Sequence, residues 1–434
     1  MNRRPSSKRA WAVGALMVAV IVVLLVPASP ASGQRKARKS WWDRAVEQKV
    51  GYYWFKSDLT PSDAERLAVH LNLMHEEYAR RLASLPERAP EKLNVLMFAD
   101  RGDYVRTLRV RYGVNAEGSG GMFFVTGEGS GLAFWTGSLP QRRIQHVIQH
   151  EGFHQFAYSR FGSDLPVWVN EGMAELFGQS MPVGRSLLVG QRNPRVLDEI
   201  KNAIELNEHV TFRTMLTMDQ AQWSSAVKGG KASLQYKQAW SMVHFLVYAH
   251  SGRWRGDFER YLRFINHGYL SYDAFVKAFG TDDVESFEQR WKEYVLAAQP
   301  SAFITALERI EFLAEGAQEL SRREISPESL DELREALRSI DFKYELNHHG
   351  IGATLTAADD AMFELLEDEL TRQQPMFEVI KAKRGGMTLK DRMLEEELPT
   401  PPTISTAYLK PRNLKIHWRR EKETNTFRYE IVLK

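Results

Sequence analysis

Apolar positions recur at helical spacing along most of this chain, and only a few short runs break that rhythm. Leu67, Leu71, Met74, Tyr78 and Leu82 stand three or four residues apart. They predict an amphipathic helix to about Leu85, opened by Pro61-Ser62-Asp63-Ala64-Glu65. Leu93-Asn94-Val95-Leu96-Met97-Phe98 is too densely apolar for one helical stripe and reads as a short buried strand. Asp103 to Leu108 reads as a short helix. Met122 to Thr126 and Leu132 to Thr136 are β-rich, and Gly127-Glu128-Gly129-Ser130-Gly131 joins them as a flexible turn, so a hairpin is the simplest expectation. Helical spacing resumes over Gln141 to Tyr158. It breaks at Gly162-Ser163-Asp164-Leu165-Pro166 and returns from Val167 to Gly178.

From Val196 to about Ala298 the pattern is helical. Its clearest stripe is Tyr236, Ala239, Trp240, Val243, Leu246 and Val247, followed by Phe258, Tyr261, Leu262 and Ile265, then Phe287, Trp291 and Val295. The character changes near Pro300. Helices are expected over Ile304 to Leu320 and Leu330 to Ile340, an extended Pro-rich stretch over 396–412, and paired strands at Leu414 to Trp418 and Phe427 to Leu433. The whole reads as an α+β chain. Its expected divisions are an N-terminal segment (1–33), a lead-in with one helix (34–89), a sheet-and-helix subdomain (90–185), a helical subdomain (186–299) and a C-terminal extension (300–434) that carries no chemical constellation.

The first 33 residues stand apart. Arg3, Arg4, Lys8 and Arg9 precede an uncharged apolar run from Trp11 to Val26, and small residues follow from Pro27 to Gly33. This is the layout of a secretory signal peptide, or of an uncleaved membrane anchor, with the basic end retained inside. Export to a periplasmic, envelope or secreted location is expected in either case. The 434 residues include 58 basic and 55 acidic side chains. With no basic stretch interleaved with aromatics, a nucleic-acid partner is not expected. The chain has no cysteine, which excludes disulfides, thiolate-bound zinc and thiol catalysis.

The chemistry concentrates in His150-Glu151-Gly152-Phe153-His154 and Asn170-Glu171-Gly172-Met173-Ala174-Glu175. On a helix His150 and His154 face the same way one turn apart, the spacing that suits two imidazoles on one zinc. Glu151 stands beside them, placed to accept a proton from water. A catalytic zinc takes three protein ligands, and Glu171 is the expected third. Glu175, one turn on, and Asn170 are the candidates to hold a ligating imidazole in orientation. His146 shares the face of His150 and His154. It is expected as a neighbour, although a rival site built on His146 and His150 has the same spacing. Asp164 is the weaker alternative ligand, in a loop.

Pro166-Val167-Trp168-Val169-Asn170-Glu171-Gly172-Met173-Ala174-Glu175 resembles the Pro-x-Trp-x-x-Glu-Gly-x-Ala segment of the peptidase MA-like proteins. It is also similar to the Trp-Leu-Asn-Glu-Gly-Phe-Ala segment of the M1 aminopeptidases. The paired motifs resemble those of the gluzincin metallopeptidases. Tyr236-Lys237-Gln238-Ala239-Trp240-Ser241 further resembles a segment of DUF1570-like bacterial envelope proteins. The resemblance covers roughly 90–298. It implies a zincin-like fold, zinc bound by His150, His154 and Glu171, Glu151 as general base, and Tyr236 as a stabiliser of the transition state. The Gly-x-Met-Glu-Asn segment of the M1 aminopeptidases is missing upstream, so endopeptidase action on peptides or proteins is the default expectation. Tyr236 also fits a core position on its stripe, as does His244. Substrate is expected to add its backbone to a sheet edge, with Leu132 to Thr136 as the candidate strand and a buried strand as the alternative. A zinc-bearing but non-catalytic binding protein of the envelope is the competing account.

Overall fold

The computed structural model describes residues 40–86, 92–127, 129–137, 139, 141–183, 186–226, 232–348, 351–367, 374–380, 398–421 and 426–434. Residues 1–33, expected to be a signal or anchor segment, lie outside them. Among the described residues no helix is long and apolar enough to cross a membrane. The chain forms two compact units, one of residues up to Gly190 with Asp198–Ala298, the other of Gln191–Leu197 with Gln299–Lys434.

The first unit starts earlier in the chain than its patterning suggests. A short helix α1 (Trp41–Arg44) leads into strands β1 (Val46–Val50) and β2 (Tyr53–Ser57), then helix α2 (Pro61–Arg81), β3 (Leu93–Phe98), α3 (Arg101–Tyr112), β4 (Gly121–Thr126) and β5 (Gly129–Trp135). The lead-in thus supplies two strands of a five-stranded mixed sheet ordered β1-β2-β3-β5-β4. β2, β3 and β5 run parallel, with Val95 opposite Leu132 and Met97 opposite Phe134, while β1 and β4 are antiparallel edges. The anticipated hairpin is present, but its turn is shorter, because Gly129, Ser130 and Gly131 belong to β5. Helix α3 is longer than the six residues expected. Asp100 caps it at the Asp103 amide, 3.0 Å away, and Gly113 closes it in the left-handed region at φ 67°.

Strand alternation divides the core across the sheet. Val95, Met97, Leu132 and Phe134 pack against Leu67 and Leu71 of α2 and Val147 and Ile148 of α4 (Gln141–Phe161). Leu96, Phe98, Met122, Phe124 and Ala133 pack on the other side with Trp41, Tyr104 and Leu108. Phe134 and Trp135 therefore point to opposite faces. The Tyr78 hydroxyl donates to the Gln149 carbonyl at 2.6 Å and ties α2 to α4.

After α4 come α5 (Val167–Gly178), the small hairpin of β6 (Met181–Val183) and β7 (Ser186–Leu188), and α6 (Pro194–Glu205). Helices α7 (Phe212–Thr217), α8 (Gln220–Ala226), α9 (Ala232–Gly252), α10 (Arg255–Asn266), α11 (Ser271–Phe279) and α12 (Val284–Ala297) complete the unit. The helical stripes anticipated on α9, α10 and α12 are buried, except that Tyr236 at the head of the α9 stripe is partly exposed. Trp291 of α12 donates its indole N–H to Ser241 of α9 at 3.1 Å, so the buried ring leaves no unmet donor.

In the second unit α13 (Ala302–Arg322) and α14 (Leu330–Ser339) precede a hairpin of β8 (Lys343–His348) and β9 (Ile351–Thr356). A four-stranded antiparallel sheet of β10 (Met376–Ile380), β11 (Thr403–Ala407), β12 (Leu414–Glu421) and β13 (Thr426–Leu433) closes the chain. The pairing of β12 with β13 matches expectation. Within the stretch expected to be merely extended, Thr403–Ala407 is a sheet strand.

Candidate metal centre

Two helices build the site. His150, Glu151 and His154 project from the middle of α4, where Ile148, Phe153 and Ala157 are buried around them. Helix α5 brings Glu171. Pro166 precedes its first turn, and Trp168 sits fully buried 5.9 Å from the Tyr261 ring of α10. Gly172 lets α5 lie directly on α9, since a Cβ there would come within 2.4 Å of the Ala239 carbonyl oxygen. Gly178 makes room for the rings of α4; its Cβ would stand 2.8 Å from His146 Nε2. Gly172 thus sets the distance of α5 from α9, and Gly178 that of α5 from α4.

His150 Nε2 and His154 Nε2 lie 3.1 Å apart, and Glu171 Oε2 lies 3.5 Å from the first and 3.4 Å from the second. A tetrahedral zinc with bonds of about 2.0–2.1 Å spaces its ligands about 3.3–3.4 Å apart. The three atoms therefore mark one face of such a tetrahedron. His150, His154, Glu151 and Glu171 are each at most 2% exposed, and neither oxygen of Glu171 has a hydrogen-bond donor among the described residues. A buried carboxylate left this way is costly unless a cation meets it. The residues fit a divalent metal ion.

The distal nitrogens are also engaged. His154 Nδ1 lies 3.0 Å from Asn170 Oδ1, and His150 Nδ1 lies 3.2 Å from Glu175 Oε1. An N–H donated from His154 Nδ1 to Asn170 leaves the His154 Nε2 lone pair aimed at the common point, whereas His150 Nδ1 lies at ion-pair distance from Glu175 without a hydrogen bond among the described residues. Glu175 reaches His146 through its other oxygen, at 3.6 Å. His146, His150 and Glu175 form a second group able to hold an ion, but Glu175 meets the two rings through separate oxygens. The first group alone has one carboxylate oxygen equidistant from two imidazoles.

Electrostatics favour a cation at this point. Burial pushes the His150 imidazolium down in pKa, but Glu171 and then Glu175 outweigh it and raise the ring well above its ordinary value. Burial pushes the Glu171 carboxyl up, and the imidazoles of His154 and His150 pull it below the usual carboxylate range. Glu175 is held low by His146 and His150 against the same burial. Glu151 behaves differently: burial dominates and its carboxyl is raised.

Glu151 Oε2 accepts a hydrogen bond from the Phe123 amide at 2.8 Å. This contact locates the free edge of the sheet. β4 pairs with β5 through Met122, Phe124 and Thr126, so the amides and carbonyls of Gly121, Phe123 and Val125 face away from the sheet, toward α4. The expectation that Leu132 to Thr136 forms the edge is corrected here: β5 lies between β3 and β4. Tyr236 of α9 stands beside the cluster, its ring 6.4 Å from that of His150 and edge-on to Trp223 at 5.3 Å. Burial, reinforced by the Glu171 charge, keeps its phenol protonated. His244 is engaged elsewhere, with Gly190 and Tyr294. Asp164 is not among the residues grouped around a prospective ion. The Phe123 amide has no sequence signal, because which strand forms the edge depends on long-range pairing.

Residues 144–267 match the model of a family described as a protein of unknown function (DUF1570). The matched stretch contains both halves of the cluster and Tyr236. A search of curated proteins finds no match.

Proposed function

We propose that the chain is a zinc-dependent endopeptidase of gluzincin type, exported on the strength of its N-terminal apolar run. The observation that carries this is the convergence of His150, His154 and Glu171 on one point, with Glu151 beside it at the free edge of β4. Zinc there would supply Lewis acidity, making water more acidic and polarising a peptide carbonyl. The side chains do the rest. A peptide extended along β4 would exchange backbone hydrogen bonds with the outward groups of Gly121 and Val125 and with the Phe123 carbonyl, the Phe123 amide being held by Glu151. Glu151, fixed through Oε2 by the Phe123 amide, has Oε1 available to take the proton of the attacking water and return it to the leaving amine. Its raised pKa suits both transfers better than an ordinary carboxylate would. Tyr236, protonated and facing the cluster, would donate a hydrogen bond to the developing oxyanion.

Glu151→Gln keeps the shape and removes the base. The expected result is one zinc per chain and cleavage of unstructured peptides reduced by about a thousandfold or more, in line with loss of general-base catalysis and of the negative charge. Equal cleavage by the variant would remove Glu151 from the mechanism and favour a non-catalytic role for the metal.

A further inference from the structure

Where β4 runs beside α4, one end carries a cation. Helix and strand run in the same direction: a Cβ on Gly121 would touch Val147, the Phe123 amide meets Glu151, and the Phe123 ring lies 5.5 Å from that of Tyr158. One residue before Gly121, a Cβ on Gly120 would stand 4.0 Å from Arg143 Nε. Arg143 lies eight residues before Glu151 on α4, about 12 Å along the axis. The side chain is half-buried. Among the described residues no carboxylate forms an ion pair with it; Glu175 and Glu151 act on it only through their fields, against a burial that disfavours the charge. A cation in such a place gains from any anion delivered to it.

We propose that Arg143 is a specificity-determining residue that receives a carboxylate of the bound peptide, about three residues from the bond facing Glu151. The spacing follows from the strand, since Gly120 and Phe123 are three residues apart and an extended chain advances about 3.3 Å per residue. Antiparallel addition, the more stable pairing, directs the C-terminal side of the peptide toward Arg143. The carboxylate is then either a free C-terminus or an Asp or Glu side chain at that position. This inference rests on the peptidase reading for the peptide's location.

Binding can be measured apart from cleavage. The zinc-loaded full chain carrying Glu151→Gln is titrated with fluorescein-labelled peptides in matched sets: a free C-terminus against an amide, and glutamate against glutamine. The carboxylate form should bind at least about 10-fold more tightly in one arm or both, the low end for a charge-assisted pair. Adding Arg143→Gln should bring that ratio close to one, and Arg143→Glu should invert it toward lysine-bearing peptides, with zinc content checked in each. Ratios within about twofold in both arms before any change at Arg143 would overturn the proposal, as would a ratio that survives Arg143→Glu. If the wild-type chain cleaves peptides without discriminating them, Arg143 loses its role and the peptidase reading stands. If the carboxylate preference holds but nothing is cleaved, the reverse applies.

Discussion

Each imidazole of the pair has a second nitrogen facing away from the cluster. Asn170 hydrogen-bonds that of His154 and Glu175 lies 3.2 Å from that of His150, so the two side chains are placed to orient the rings. Replacing Asn170 or Glu175 with alanine is therefore expected to weaken zinc affinity by about 10–100-fold each while the fold persists. Competition against a fluorescent chelator measures this, and unchanged affinity in both variants would show that the rings need no such support. Glu171→Gln should do more, because an amide oxygen offers no charge to a site built around one; zinc content after dialysis reads the difference. The residue identities are legible in the sequence, because α-helical spacing alone puts His150 and His154 on one face. The partner assignments are less so. Glu171 and Glu175 share a helical face as well, and only the approach of α5 to α4 shows one carboxylate bridging two Nε2 atoms and the other behind His150.

Helix α5 depends on having no side chain at Gly172. A methyl there would be driven into the Ala239 carbonyl, and α9 cannot yield because its own face is packed with Trp240, Val243 and Leu246. Gly172→Val is expected to cost about 1–3 kcal/mol or more of stability in urea unfolding and to lower zinc affinity by moving Glu171. Full stability and full affinity in that variant would mean that the helices are not in this contact. The helices and the β4–β5 hairpin are readable from periodicity because their signals are local. Strand order is not. β5 is interior only because Val95 pairs with Leu132 across more than thirty residues, and no local pattern announces that. The strands at Val46–Val50 and Tyr53–Ser57 escape for another reason: β1 is almost wholly exposed, and β2 alternates over only five residues.

Across the first unit, acid resistance is set partly by a histidine outside the candidate metal centre. His75 of α2 is buried between the Tyr52, Tyr53 and Phe156 rings, with the Tyr53 hydroxyl 3.1 Å from its Nδ1. Burial, helped by Arg160, lowers its pKa from 6.5 to about 4. Above pH 6.5 folded and unfolded chains both carry the neutral ring. Between 6.5 and about 4 only the unfolded chain takes the proton, so stability falls by up to about 1.4 kcal/mol per pH unit from this group; below about 4 the loss levels off. Unfolding followed against pH should show that slope, and His75→Gln should flatten it by about one proton. An unchanged slope would place the acid sensitivity elsewhere. At this scale the α+β class and the late change of character near residue 300 are visible in composition and spacing. The joining of the lead-in to the sheet is not, since it rests on parallel pairing of β2 with β3.

The most direct test of the metal centre is X-ray absorption at the zinc edge on the purified, zinc-loaded chain, with metal content measured on the same sample. The proposed zinc site requires one zinc per chain with two imidazole nitrogens and a carboxylate oxygen at about 2.0–2.1 Å, and loss of the imidazole scattering in His150→Ala. Zinc well below one per chain, or a shell of oxygens without imidazole, would contradict it.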